Sequence, residues 1–559
     1  MAVLENNKEV PQEKNILLEK WKIETVCGNR KPEKPGYCVF NNTAYALDLL
    51  KKHIDCNSKI ALHTDVDVDG IGTTYIFKKA LNNLGSNNHL LLINRDKIHG
   101  IQQKHVDYFR DKPLDLMIIT DSSTNEIEII KQLNCDVLVV DHHDVSQKMQ
   151  SQLLGFCNDG VHRYVIVNNT IANNNQKFDN KWLRNNNISA FENLEEYQAT
   201  QDMSCGLVVY ELLRLYCECF ASPKLLENLM LYQWVGVTLI TDVINTLNER
   251  NQWYLEQTVF NNSVEASLNI MMRQINRFKA TLDKSYINYS FAPLINKAIR
   301  AGDGAKALDI VINRPQDIMQ LEVYKEIQQK AIDSALEVEI VDPETQVRTK
   351  AKRVFKDKNI ILDISKLGIK PSYTGVIASR LGGDHHKNAA VYCIDEDGLC
   401  KGSFRGRYNY IDYREYFENF ADDIYAQGHP PAFGFKLRLE QLRAILDSIE
   451  SIEPDQESKP WLTLGSMKPE EYGKYHIDSL DEFKKLGYIW RIAIGNSKVT
   501  SKDEVNIKVK SSDVVFKNTK GKLFFYDVLG MECKAFKILT GEYLEIYPEY
   551  TNEVNIYIR

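Results

Sequence analysis

The sequence predicts an α/β protein: a parallel sheet first, then a helical connector, a smaller α/β segment and a strand-rich end. Two observations carry the first part. Short apolar runs, "KIALHT" (59–64), "HLLLIN" (89–94), "LDLMIIT" (114–120) and "CDVLVVD" (135–141), are separated by stretches with helical patterning. Strands that alternate with helices make a parallel sheet covered on its faces. The second observation is chemical: Asp or His stands at or beside the ends of three of these runs, as His63, Asp121 and Asp141, and open α/β sheets bind ligands outside the carboxyl ends of their strands.

The remaining elements follow in order. Residues 1–35 are expected to be a polar arm with a short helix, and "MAVLENNKEVPQEKNILLEK" does not read as a signal peptide, for want of an apolar core. The Asn-rich "NNTIANNNQKFDNKWLRNNNISA" (168–190) is expected to be a surface loop. Helical patterns dominate from about Met203 to Ala335, including "SCGLVVYELLRLY" and "LYQWVGVTLITDVINTLNERNQWYLEQ". The basic "QVRTKAKRVFKDK" (346–358), read equally well as a solvated helix face or a phosphate track, leads into a second α/β segment ending near Glu450. "SIEPDQESKP" (451–460) reads as a linker. Beyond it, "EVNIKVK", "KLFFY", "EYLEIY" and "VNIYIR" are short strands, for which an OB-like barrel is one arrangement.

Composition narrows the function. At 559 residues, with 43% hydrophobic and 26% charged residues, the chain is long enough for several packed domains. A net charge of −7 excludes a wholly basic nucleic-acid coat but allows an acidic centre beside local basic tracks. The 11 cysteines show no C-x-x-C pair or zinc spacing, which points to reduced thiols in cytoplasm. The longest apolar run, around "LMLYQWVGVTLI", is too short to span a membrane. A soluble cytoplasmic protein is expected.

The stretch "LHTDVDVDGIG" (62–72) sets His63, Asp65, Asp67 and Asp69 at alternate positions before two glycines. On an extended chain these side chains share one face, where carboxylates repel and Asp is a poor strand former. An EF-hand loop needs an acidic twelfth residue, but counting from Asp65 gives Ile76. A strand delivering ligands to a metal remains, with Gly70 and Gly72 turning the chain into a helix.

Other segments supply partners. Asp121 follows an apolar strand in "LMIITDSS", and Asp141, His142 and His143 follow another in "VLVVDHHD". Each alone could be a helix cap; together they suggest one site. Asp242 lies in the apolar "WVGVTLITDVI", where an anion is costly unless it binds metal or pairs with a cation such as Arg250.

"HTDVDVDG", "TDSS", "VVDHH" and the Gly236–Asp242 segment resemble, in order, the motifs of DHH-family phosphoesterases, and above all the RecJ-like single-strand exonucleases. "INRDKIHGI" (93–101) is similar to the family's basic strand end, and "FAPLINKAIRAGDGAKAL" (291–308) to its Pro-Asn-Arg segment. "TGVIASRL" (374–381), "KGSFRG" (401–406) and "GHPPAFGF" (428–435) resemble the accessory DHHA1 domain. The resemblance covers roughly residues 40–440. "TDSS" departs from the usual Asp-Cys-Gly, Gln427 precedes Gly428, and Phe433 replaces a small residue. A second Asp-His-His, Asp384 to His386, is read as a coincidence in a loop after the "VIASRL" helix.

The resemblance implies a DHH catalytic domain (36–270) and a DHHA1 substrate-binding domain (346–450); the helical and strand patterns add a connector (271–345) between them and a C-terminal β-rich, OB-like domain (461–559). It implies two divalent ions, Mn²⁺ with Mg²⁺ as the alternative. His63 and Asp67 would hold one ion, Asp69, His142 and Asp242 the other, and Asp121 both. Asp65 and His143 would be catalytic, with Asp65 orienting or deprotonating the attacking water. Arg95, Ser403 and Arg405 would grip a terminal phosphate, with Arg300 as the further arginine and His429 beside the substrate. The activity implied is 5′-to-3′ hydrolysis of single-stranded DNA in repair, recombination or replication. Single-strand-binding protein or other replication or repair proteins are candidate partners. A phosphodiesterase for short oligonucleotides or cyclic dinucleotides is one alternative; a non-catalytic replication scaffold is another.

Overall fold

The computed structural model describes residues 33–450 apart from short internal stretches (96–97, 146–156, 159–161, 174–175, 187–199, 201, 243, 245–248, 260–262, 276–281, 283–285, 342–347, 386, 408–410, 422 and 430), and from 462 onward its strands. Most of the polar arm (residues 1–32) and the linker (451–460) lie outside the described residues.

Six strands form the first sheet: β1 Ile60–Thr64, β2 His89–Ile93, β3 Leu116–Thr120, β4 Asp136–Asp141, β5 Cys157–Asn158 and β6 Arg163–Asn168. Their order is β2-β1-β3-β4-β6-β5, with all neighbours parallel except the short edge strand β5. The four predicted strands are β1 to β4. The runs are continuously apolar because both faces are covered. Ile60, Leu62, Ile118, Leu138 and Val140 enter one core with helices Thr43–Asp55, Val68–Asn83, Cys205–Phe220 and Tyr232–Thr241. Ala61, Met117, Ile119, Val137 and Val139 enter the core on the opposite face. Parallel register brings the ends of β1, β3 and β4 level, pairing Thr64 with Thr120 and Thr120 with Val140.

The Asn-rich segment is not simply a loop. Gln176–Asn186 is a helix that buries Asp179 and Leu183, four residues apart and so on one face. The Asp179 carboxylate accepts a bond from Ala44 N at 2.9 Å. The basic stretch is not a helix face either: within it, β8 Arg348–Lys352 pairs antiparallel with β7 Glu337–Val341. β-Branched and acidic residues alternate in "EVEIV", a period-2 pattern that favours the ribbon.

A second sheet, in the order β12-β13-β11-β10-β9, contains β9 Asn359–Asp363, β10 Asn388–Ile394, β11 Cys400–Arg405, β12 Tyr425–His429 and β13 Ala432–Leu437. Helix Thr374–His385 covers one face, and helices Tyr413–Glu418 and Leu439–Ile449 cover the other. Phe433 fills the second core, its ring 5.1 Å from Phe404 and 4.8 Å from Phe417. Asp384 and His385 occupy the last turn of helix Thr374–His385 rather than a loop, while His386 lies outside the described residues. Asp384 pairs with Arg380 at 2.8 Å, and His385 stacks edge-on against Phe355.

In the C-terminal region, four antiparallel strands, Glu504–Val509, Ser512–Thr519, Lys522–Tyr526 and Glu532–Lys537, form a meander. Leu462–Ser466 pairs with Trp490–Ala493, and Leu544–Pro548 with Val554–Ile558. No helix among the described residues is long and apolar enough to cross a membrane.

Candidate metal centre

The alternation of His63, Asp65, Asp67 and Asp69 is not that of one strand face. β1 ends at Thr64, so only His63 lies in it. Asp67 is the N-cap of helix Val68–Asn83, its Oδ1 accepting from Gly70 N at 2.8 Å, and Asp69 lies in the first helical turn. A strand end, a cap and a helical turn thus aim the four groups. The favourable interaction of carboxylates with a helix N-terminus offsets part of their crowding. Gly70 and Gly72 serve close approach rather than the turn. A Cβ on Gly70 would stand 2.8 Å from Thr64 Oγ1 and 2.9 Å from Asp65 O; one on Gly72 would stand 2.9 Å from Thr238 Cγ2.

Asp121 follows β3 with φ of 65°, and Ser123 has φ of 78°. Both are left-handed conformations that cost a non-glycine residue energy. Ser123 stands where the resembled motif carries glycine, and its Oγ accepts from Ile101 N at 2.8 Å. His142 Nδ1 lies 2.9 Å from Met203 O, which places a proton on Nδ1, so that a neutral ring turns its Nε2 lone pair toward the carboxylates. That Nε2 is 3.1 Å from Asp121 Oδ1, 3.6 Å from Asp242 Oδ2 and 3.9 Å from Asp69 Oδ2. Asp242 ends helix Tyr232–Thr241 as its C-cap rather than lying within it. Arg250 pairs with Glu211 at 3.1 Å.

Three groups of candidate ligand atoms lie within 4.8 Å of one another: Asp121, His142 and His143; Asp69, His142 and Asp242; Asp65, Asp67 and Asp121. Asp121 belongs to two of them. Burial, with Asp69, Asp67, Asp65 and Asp242 around it, pushes its carboxyl well above the usual range. Burial and Asp67 raise Asp69 to about 7, against bonds from Cys205 N, Gly206 N and Thr73 Oγ1. Burial, with Asp69 and Asp67 nearby, also raises Asp242. Burial lowers His63 to about 3, helped by His105, whose ring lies edge-on 4.8 Å away. Both ring nitrogens of His63 and both carboxylate oxygens of Asp121 are buried without a hydrogen bond among the described residues. Buried polar atoms normally have partners. A divalent cation would satisfy these groups and cancel the repulsion, and the oxygen and imidazole donors suit Mn²⁺ or Mg²⁺.

The second expected site lies on the other sheet. Arg405, on β11, donates from Nε to Ser379 Oγ at 3.0 Å and from Nη1 to Phe404 O at 2.7 Å. Its Nη2 lies 3.0 Å from where a Cβ on Gly375 would stand, so glycine leaves room for the guanidinium. Ser403 Oγ lies 3.0 Å from Thr374 Oγ1. Burial and the Arg300 charge lower Arg405 to about 10; burial also lowers Arg300. Arg300 ends helix Ala292–Arg300, where its carbonyl accepts from Ser372 Oγ at 2.6 Å. Ser403 and Arg405 thus share the surroundings of Gly375, while the Arg300 guanidinium, bonded to Gln328 Oε1 at 3.4 Å, is near enough for its charge to act on Arg405. Arg95 is exposed just past the carboxyl end of β2, and among the described residues no hydrogen bond or ion pair links it to them. His429 ends β12; its side chain lies outside the described set.

Sequence reasoning misses two groups. His99 Nδ1 lies 2.6 Å from Asp65 Oδ2, although "INRDKIHGI" stands out in the sequence for its arginine alone. Glu126, five residues after Asp121, has its carboxyl raised to about 7 by burial and by Asp141. Only its proximity to Asp121 marks it. His143 Nδ1 lies 2.8 Å from Asp141 Oδ1. Burial opposes its charge, but Asp141, Asp65 and Asp242 prevail and raise it to about 10.

Fold and site together define an open α/β protein with a metal-competent acidic and imidazole centre at the carboxyl edge of its parallel sheet. Residues 59–230 match the DHH family, N-terminal domain. That segment is thus a DHH-type N-terminal domain, and the fold around it is similar to that of RecJ. It is 23% identical over 445 residues to the "Putative SPbeta prophage-derived single-strand DNA-specific exonuclease YorK" of Bacillus subtilis (strain 168), covering 73% of this chain and 68% of that protein. The RecJ structure from Thermus thermophilus in complex with Mn²⁺ matches with a TM-score of 0.60 at 16% identity, over 98% of this chain and 77% of that one. RecJ from the same organism in complex with Mg²⁺ matches with a TM-score of 0.55 at 17% identity, over 98% and 76%.

Proposed function

We propose that the chain is a metal-dependent exonuclease that hydrolyses single-stranded DNA from its 5′ end, in DNA repair, recombination or replication. The observation that carries this reading is the convergence of buried carboxylates and imidazoles around Asp121, with Asp121 common to two groups of candidate ligands. His63 and Asp67 would hold one ion, and Asp69, His142 and Asp242 a second, with Asp121 between them. Bound ions supply Lewis acidity that activates water and stabilises a leaving phosphate oxygen.

The chain's own groups do the rest. Met203 O fixes the His142 tautomer that faces the carboxylates. His143, held cationic by Asp141, donates to a non-bridging oxygen of the scissile phosphate. Asp65 orients the attacking water. Arg300 and Arg405, with Ser403, grip the terminal phosphate, for which a guanidinium fork suits two oxygens at once. Arg95 and His429 serve the same strand from the sheet edges. On this reading residues 36–270 are the catalytic domain, 271–345 the connector, 346–450 the substrate-binding domain and 461–559 a nucleic-acid or protein-docking module joined through 451–460 to the rest. The strand-rich C-terminal region favours a polymer over a cyclic dinucleotide or a short oligonucleotide. The filled ligand positions argue against a scaffold that has lost activity. The protein works in the cytoplasm, where single-strand-binding protein is a candidate partner.

The test is incubation with single strands labelled at either end, with and without Mn²⁺. Mononucleotides released first from the 5′ end, only with metal, are the expected outcome. Release from the 3′ end, or cleavage confined to dinucleotides, would replace the reading.

A further inference from the structure

We infer that His99 is a positioning residue that fixes the Asp65 carboxylate for the hydrolytic step; this rests on the role of Asp65 proposed above. Asp65 is wholly buried immediately after β1. Its Oδ2 is 2.6 Å from His99 Nδ1, and Gly100 N donates to its Oδ1 at 3.4 Å. A buried carboxylate accepts and cannot donate, so His99 must present its Nδ1 proton. The short contact is charge-assisted and strongly directional. On its other side the same carboxylate lies within 4.8 Å of ligand atoms on Asp67 and Asp121. Holding one oxygen therefore sets the plane in which the other meets the reaction centre.

The loop carrying His99 is built for this. Asn94 Nδ2 donates to Ile98 O and Gly100 O, both at 2.7 Å. Gln102 Nε2 donates to His99 O at 2.9 Å. Ile101 N donates to Oγ of Ser123, two residues beyond Asp121. These bonds tie the loop to the ends of β2 and β3, the strands flanking β1. The His99 side chain is 49% exposed, so water could satisfy it; the braced loop turns Nδ1 inward instead. If His99 served only to offset a buried charge, its loss would change stability and leave turnover alone.

The experiment compares His99→Ala and His99→Asn with the wild type on two substrates: single-stranded DNA, and a chromogenic phosphodiester that needs only the metal centre. An asparagine amide nitrogen takes the place of imidazole Nδ1. The Ala variant should lose about ten-fold or more in kcat, the range of a charge-assisted bond. Its KM, thermal midpoint and calorimetric Mn²⁺ affinity should change little, and the Asn variant should recover most of the loss. Unchanged kcat in the Ala variant, equal loss in both variants, or Mn²⁺ affinity or thermal stability falling in step with kcat would overturn the assignment. A wild type that cleaves the diester but not single strands would refute the exonuclease reading, and His99 would then be judged on the diester. A wild type that cleaves neither would overturn both.

Discussion

His142 Nε2 lies 3.1 Å from Asp121 Oδ1 while its Nδ1 is engaged by Met203 O. A neutral imidazole in that tautomer turns a lone pair toward a carboxylate, two acceptors facing each other across hydrogen-bond distance. Such contacts are unfavourable without a cation between the groups. The raised Asp69, Asp121 and Asp242 carboxyls report the same deficit of positive charge.

Replacing Asp121 by Asn should therefore abolish hydrolysis and sharply weaken Mn²⁺ binding, with the circular dichroism spectrum preserved. His385→Ala, in the second Asp-His-His, should leave turnover intact and change stability by at most about 0.5 kcal/mol, as at most surface sites. Normal turnover by folded Asp121→Asn would refute the ligand assignment.

Mn²⁺ affinity should rise with pH between about 5 and 8. Asp69, raised to about 7, is largely protonated at the acidic end and must release its proton to bind a cation. Without metal the sign for stability is the reverse: a raised carboxyl contributes stability below its unfolded value near 4 that is lost as pH climbs through about 7. Mn²⁺ should thus raise the thermal midpoint more at about pH 8 than at about pH 5.5. Calorimetric titrations and melts at the two pH values check this; a pH-independent affinity would contradict it.

Arg405→Ala should slow degradation of 5′-phosphorylated strands by about one to two orders of magnitude, the worth of a charge-assisted bond. Mn²⁺ binding should hold steady. Arg405→Lys should recover only part of the rate, since the ammonium lacks the fork and the Nε bond to Ser379. Rates on 5′-phosphate and 5′-hydroxyl strands provide the readout. Equal losses on both would remove the phosphate from the role.

Truncation near Ser451 should weaken binding to long single strands more than cleavage of short ones, because strands bearing Tyr and Phe can stack bases. Equal activity on long strands before and after truncation would favour protein docking for residues 461–559.

Much of this centre is legible in the sequence because Asp or His at or just past the ends of apolar runs gathers candidate ligands at one sheet edge. β1 to β4 and the ligand groups around Asp121 follow from that pattern. The aiming of Asp67 and Asp69 does not. Alternation suggests a strand, yet the Gly70 N–H bond to Asp67 starts a helix there, a tertiary choice enforced by close packing at Gly70 and Gly72. β6, "RYVIVN", is easily passed over beside the Asn-rich segment, whose helix is visible only once Asp179 and Leu183 are seen as buried. His99 eludes the sequence because a contact across 34 residues depends on loop closure, for which no local pattern exists.

The enzyme proposed here reads an end and cleaves single strands only with metal. The most direct measurement is the Mn²⁺-dependent release of nucleotides from a linear single strand and from the same sequence closed into a circle. Rapid loss of the linear strand, an intact circle, and no hydrolysis of either without divalent metal are expected. Circles cut as readily as linear strands would contradict end recognition.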